Sequence, residues 1–209
     1  MRNLLLSSFV LLILTGCKLG HYSRLKEATG TKTPLKPVFG DNFNSFLFKT
    51  NIHIYGKDFS GLLVTKQLQP KEYRVIFTTE LGMKIFDFEF KDTSFTLHYC
   101  VPQFNKPKLL KVIRQDIETL LMNNLEGRSV TSYTEPKEIY HIQRIQLGNY
   151  NNYYFTEKTS QQLVKIEHSK KRTIKTIFTL NDYKDGFPSN IIIQHYNIQL
   201  RIELNLLKK

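Results

Sequence analysis

The sequence predicts a mainly β chain of the α+β class: a long series of antiparallel strands, strongly curved or partly closed, with one helix set into the series. Three observations carry this. Apolar residues alternate with polar ones in run after run, the period that places each set on one face of a sheet. Short turn signals separate the runs, so neighbouring strands pair antiparallel. One segment after Cys100 switches to three- and four-residue steps, the period of a helix. About eleven or twelve short strands in one domain require a curved sheet or a partly closed barrel.

The chain opens with a targeting segment. Arg2 supplies a positive charge, and Leu4 to Leu14 form an apolar run shorter than the roughly 20 residues that span a bilayer. The run Leu14-Thr15-Gly16-Cys17 resembles the lipobox of bacterial lipoproteins. The resemblance implies that residues 1–16 are removed and that Cys17 is lipidated as the new N-terminus. Several acyl chains on one cysteine suffice for stable anchoring. Lys18 follows with no acidic run, a pattern unlike an inner-membrane retention signal. The expected address is therefore the periplasmic face of the outer membrane.

Residues 17–42 read as the lipidated cysteine and a basic tether. They hold Lys18, Arg24, Lys26, Lys32 and Lys36 with Gly30, Pro34 and Pro37. Within them Tyr22 to Ala28 suits one or two helical turns. The folded domain is expected over 43–209, long enough among the chain's 209 residues for a substantial core. The net charge of +12 suits anionic lipid head groups better than nucleic acid for an exported protein; surplus lysine also aids solubility. With Cys17 used, only Cys100 remains, so no intramolecular disulfide is expected. Cys100 ends an alternating run and reads as a buried apolar side chain.

From Phe43 the pattern is sheet. Phe46, Phe48, Ile52 and Ile54 share one parity, broken at Thr50; Gly56-Lys57-Asp58 turns the chain, and Leu62 and Val64 lie in the second strand. Tyr73, Val75 and Phe77 then alternate with Arg74 and Thr78. After a short connection at Glu80-Leu81-Gly82, Phe86, Phe88 and Phe90 alternate with Asp87 and Glu89. The turn carries a bare leucine where polar residues are usual. Leu81 has nothing nearby to bury against, so it reads either as a membrane or partner contact or as a plain exposed turn residue. Phe95, Leu97 and Tyr99 mark a fifth strand.

Leu109, Val112, Ile113, Ile117, Leu120 and Leu121 then define an amphipathic helix over roughly Lys106 to Asn123. Asn105 suits the N-cap and Pro107 the first turn, while Asn124 and Gly127 mark the stop. A lone helix among strands must lay its apolar stripe on a sheet face. Beyond Gly127 seven further runs read as strands, the cleanest being Ile198, Leu200, Ile202 and Leu204 against Gln199, Arg201 and Glu203.

The chemistry of known catalytic motifs is not in evidence. His53, His98, His141, His168 and His195 are scattered, with no zinc-type spacing. No GxSxG, Walker A or HExxH occurs. Asp182 and Asp185 beside Gly186 lack the alternating oxygen ligands of a calcium loop. Asp87 and Glu89 read as the solvated side of a half-buried strand. Neither enzymatic activity nor a cofactor is expected.

Tyr73-Arg74-Val75-Ile76-Phe77-Thr78-Thr79-Glu80-Leu81-Gly82-Met83-Lys84, with the lipobox and the order strands, helix, strands, is similar to the periplasmic lipoprotein-localisation family. That family comprises the carrier LolA and, more closely here, the outer-membrane receptor LolB. In the family a Tyr-Arg pair leads to an Asn-Pro-Leu-Gly turn; Leu81 and Gly82 match, and Thr79 and Glu80 stand where Asn and Pro would be. The chain also has no Trp. The resemblance implies an incomplete antiparallel barrel whose greasy concave face is covered by a helix. It also implies that Leu81 protrudes and helps deliver acyl chains to the membrane. Implied partners are lipoprotein acyl chains, a LolA-like carrier and outer-membrane phospholipid, with the protein acting as a monomer. Phe77, Phe86, Phe88, Phe90, Leu109, Val112, Ile113 and Ile117 would then line an acyl cavity, or else close into a filled core. The corresponding functions are an acyl-chain receptor and an accessory lipoprotein with a protein partner.

Overall fold

The structure, a computed structural model, describes residues 22, 25–28, 34–40, 42–123, 125 and 127–209. Cys17 and the signal peptide lie outside them. In chain order the described elements are β1 (Lys26–Glu27), β2 (Ser45–Ile54), β3 (Lys57–Gln69), β4 (Glu72–Thr78), β5 (Lys84–Lys91), β6 (Ser94–Cys100), the helix α1 (Pro107–Leu121), β7 (Val130–Thr134), β8 (Tyr140–Leu147), β9 (Tyr150–Glu157), β10 (Leu163–Lys170), β11 (Thr173–Lys184), β12 (Phe187–His195) and β13 (Leu200–Lys208).

All 13 strands join one sheet in the order β1-β7-β8-β9-β10-β11-β12-β13-β2-β3-β4-β5-β6. Every pairing is antiparallel. The sheet stays open between β6 and the β1–β7 edge: it is an incomplete barrel, with one helix among the described residues. The last strand lies beside the first long one, with Ile202 opposite Ile52. The chain therefore leaves one edge at β6 and resumes at the other at β7, and α1 is the element between.

The alternating pattern becomes a face. Tyr73, Val75 and Phe77 stand opposite Phe90, Phe88 and Phe86. All six are buried. Ring centroids lie 5.4 Å apart for Phe77–Phe86, 4.4 Å for Phe86–Phe88 and 5.3 Å for Phe88–Phe95. Burial of each phenylalanine stabilises the fold by roughly 1.5–3 kcal/mol, and paired rings add about 0.5–1.5 kcal/mol. Thr50 does not break the first strand. It is buried in phase with Phe48 and Ile52, and its hydroxyl donates to the Phe48 carbonyl at 3.4 Å. Gly61 is required by close approach: a Cβ there would meet the Thr78 carbonyl oxygen at 1.9 Å.

Three local expectations are corrected. Lys26–Glu27 form a strand against Tyr133 and Thr134 rather than part of a helical turn, because the open edge of β7 offers unpaired backbone groups. Tyr22, in the same stretch, stacks on Tyr153 with centroids 4.0 Å apart. Val38 and Phe39, within the stretch read as tether, are buried in the main core. Asn105 does not cap α1: its N–H bonds to the Val101 carbonyl at 2.9 Å, and extended Lys106 precedes Pro107 without a side-chain cap. The helix stops at left-handed Met122, whose N–H reaches the Glu118 carbonyl. Gly127 lies beyond that stop, and Asn124 is outside the described residues.

Candidate functional site

Register assembles what the sequence scatters. Asn152 on β9 stands opposite His168 on β10. His168 stands opposite Thr176 on β11, and Thr176 opposite His195 on β12. These four form a buried polar row across the sheet. The adjacent row, Tyr154, Ile166, Phe178 and Ile193, is apolar.

The helix completes the row. Asp116 sits in the apolar phase of α1 between Ile113 and Ile117 and is 4% exposed. Its Oδ2 lies 2.9 Å from His195 Nε2, while His195 Nδ1 lies 3.1 Å from Thr176 Oγ1. Gln115 Nε2 reaches His168 Nε2 at 3.1 Å, and His168 Nδ1 meets Asn152 Oδ1 at 2.7 Å. A neutral imidazole bearing its proton on Nδ1 satisfies both contacts. Burial, with repulsion from His195, lowers His168 from 6.5 to about 4. Burial pushes the Asp116 carboxyl up, against the hydrogen bond and charge of His195.

Beside this row, between α1 and the sheet, lies a cavity of about 290 Å³. Its lining is mixed: Leu109, Val112 and Ile198 are apolar, Asp116, His168, Thr176 and His195 form the polar wall, and Lys108, Lys111 and Lys175 are cationic. The sequence pattern holds a faint trace of the site. His168, Thr176, His195 and Asp116 each occupy a core-phase position where an apolar residue is usual.

Thr176, His195 and Asp116 are ordered as hydroxyl, imidazole and carboxylate. The amides beside Thr176 lie in the plane of a sheet paired on both sides, so the backbone there offers no oxyanion hole. What the chain does geometrically is tie α1 to β11 and β12. Among the described residues no group of three or more His, Cys, Asp or Glu is placed to hold a metal. No described helix is long and apolar enough to cross a membrane.

The lining candidates divide. Phe77, Phe86, Phe88 and Phe90 pack in one continuous core with Leu109, Ile113 and Ile117. Of the eight, Leu109 and Val112 border the cavity. Leu81 is 93% exposed, at the tip between β4 and β5, and Met83 beside it is 67% exposed. Gly82, at φ 85°, donates its N–H to the Thr79 carbonyl at 3.0 Å, and the Thr79 N–H reaches the Met83 carbonyl at 2.8 Å. The tip is therefore a closed turn that holds Leu81 outward.

Asp87 is not solvated. It is buried and paired with Arg74 and Lys84. Burial alone would raise its carboxyl, but the two cations together hold it below its usual value. Glu89 bonds Arg74 at 2.7 Å and His98 at 2.9 Å. Cys100 is partly buried, and burial lifts its thiol to about 11, which makes it a poor nucleophile near neutrality.

No family model and no curated protein matches the chain. Solved structures do resemble it. A LolA-superfamily protein from Nitrosomonas europaea aligns with TM-score 0.54 and 7% identity, over 79% of this chain and 84% of that one. A DUF1329-family protein from Desulfovibrio piger aligns at 0.52 and 9%, over 80% and 85%. A putative outer-membrane lipoprotein-sorting protein domain from Vibrio parahaemolyticus aligns at 0.50 and 7%, over 79% and 84%. At these identities the likeness is one of fold alone.

Proposed function

We propose that this chain is a lipoprotein-binding protein of the sorting type, anchored through Cys17 and facing the periplasm from the outer membrane. It takes acyl chains of other lipoproteins from a LolA-like carrier, holds them between α1 and the concave sheet, and passes them to the bilayer. The observation that carries this reading is the cavity of about 290 Å³ between α1 and the sheet. That volume lies at the lower end of ligand pockets, roughly 300–1,000 Å³, so a full acyl chain requires α1 to lift. Lifting exchanges for water the hydrogen bonds by which Gln115 and Asp116 hold α1 to β10 and β12, and it parts Leu109, Ile113 and Ile117 from the core. Each methylene then buried contributes roughly 0.8 kcal/mol. Leu81 and Met83, exposed at one tip, supply the membrane contact. The step is binding and release, with no bond made or broken. The test uses a soluble form with Cys17→Ser and the leader removed. It is expected to retain lipidated protein, or bind a fluorescent acyl probe; retention of neither contradicts the reading.

A second reading has its own support. The phenylalanine half of the interior is filled by side chains, and edge strand β6 exposes Leu97 and Tyr99. An accessory lipoprotein that binds a protein partner along β6 fits both. In that case Tyr99→Lys abolishes partner capture while acyl probes never bind.

A further inference from the structure

We propose that the cavity beneath α1 is a binding site for a phosphate-type oxyanion. The cavity is rich in positive charge. Lys108 and Lys111 on α1 and Lys175 on β11 all line the cavity. None of the three has a carboxylate within salt-bridge distance among the described residues, whereas Lys49, Lys84, Lys91, Lys158, Lys165 and Lys209 each do. The one carboxylate in the cavity lining, Asp116, is already engaged by His195 at 2.9 Å. The site thus holds three cations against at most one negative charge, beside the positive end of the helix.

The wall is built rather than incidental. Asp116, His168, Thr176 and His195 are each at least nine-tenths buried and are held by the hydrogen bonds described above. These groups are engaged with one another and give the pocket a rigid back, while the lysines around it are the point-charge donors that suit a tetrahedral oxyanion. Lysine binds phosphate in this way, as a point charge. Leu109, Val112 and Ile198 add an apolar strip that can take the first carbons of an attached chain. An acyl chain carries no charge for the lysines to pair with. The site shares its cavity with the acyl-chain reading but does not depend on it, and inorganic phosphate tests it without any acyl group.

The experiment is calorimetric titration of the soluble Cys17→Ser chain at low salt with three probes. They are inorganic phosphate, dihexanoyl phosphatidylglycerol below its micellar concentration, and dihexanoyl phosphatidylcholine as the zwitterionic control. The same titrations are run on K108Q/K111Q/K175Q, whose melting temperature reports that it folds. Binding of phosphate and the anionic lipid, each weakened at least about tenfold in the variant, equivalent to about 1.4 kcal/mol, supports the site and assigns it to the free oxyanion. Binding of the anionic lipid alone, with the same loss in the variant, supports it and assigns it to a lipid head group. Affinity for the supporting probe falls as salt screens the lysines. No binding of either anionic probe, equal binding by the variant, or binding of the zwitterionic control as tightly as the anionic lipid overturns the proposal.

Discussion

Strands β3 to β5 and strands β9 to β12 belong to the same curved sheet, yet they are finished differently. In the first region Leu63, Tyr73, Val75, Phe77, Phe86, Phe88 and Phe90 close into a dry core, and the charges lie behind it in the Arg74–Asp87–Glu89 cluster. In the second, the inner face carries Asn152, His168, Thr176 and His195, joined to α1 by hydrogen bonds, with space left beside them. Close packing fixes the first region; in the second a row of directional polar contacts lies beside the packed row of Tyr154, Ile166, Phe178 and Ile193. Packed volume cannot be given up cheaply, whereas hydrogen bonds can be exchanged for water. The proposed lifting of α1 therefore starts from the polar half and must also part Leu109, Ile113 and Ile117 from the core.

The largest loss of stability is expected on the apolar side. Phe88→Ala removes a fully buried ring and is expected to cost about 3–5 kcal/mol, read as a large drop in melting temperature. On the polar side Asp116→Ala leaves His195 without one partner while Thr176 still bonds it. The expected cost is about 1–3 kcal/mol, and Asp116→Asn, which keeps an acceptor, costs less in the same denaturant titration. If Asp116→Ala costs as much as Phe88→Ala, the two walls do not differ in kind.

Acid separates the halves by pH window. Above pH 6.5 His168 is neutral folded and unfolded, so its contribution does not change there. Between 6.5 and about 4 the unfolded chain takes up a proton that buried His168 refuses. Stability therefore falls as pH falls, by up to about 1.4 kcal/mol per pH unit. His168→Asn flattens that window. Asp87, held below 3.8 by Arg74 and Lys84, contributes stability that is present above 3.8 and lost as pH falls further. Equilibrium unfolding across both windows reads the two regions in turn. The smallest stability effect is expected at the tip: Leu81→Glu changes unfolding by no more than about 0.5 kcal/mol, because Leu81 is exposed, yet it impairs lipoprotein delivery to outer-membrane vesicles. Unchanged delivery removes the tip from the account.

These two regions also differ in how far the sequence announces them. Phe86, Phe88 and Phe90 alternate without interruption, and their period alone places them on one face. Leu109 to Leu121 step at helical intervals, and α1 forms where they do. The polar row is faint because it is made by register: Asn152, His168, Thr176 and His195 come from different strands, and no local spacing joins them. Asp116 leaves a local sign, a carboxylate in the apolar phase of a helix, which marks a buried partner without naming it. β1 is hidden for a related reason, since two residues have no period and owe their conformation to the open edge of β7.

The account turns on whether an acyl chain lies between α1 and the polar half of the sheet. The most direct measurement places a photo-crosslinking amino acid at Val112, which borders the cavity, and another at Leu207, exposed on β13. Each is irradiated with a lipidated client and with the same client lacking its acyl chains. The account predicts an adduct at Val112 with the lipidated client, none at Leu207, and none at either position without the acyl chains. Equal adducts at both positions, or an adduct at Val112 that does not depend on the acyl chains, contradicts it.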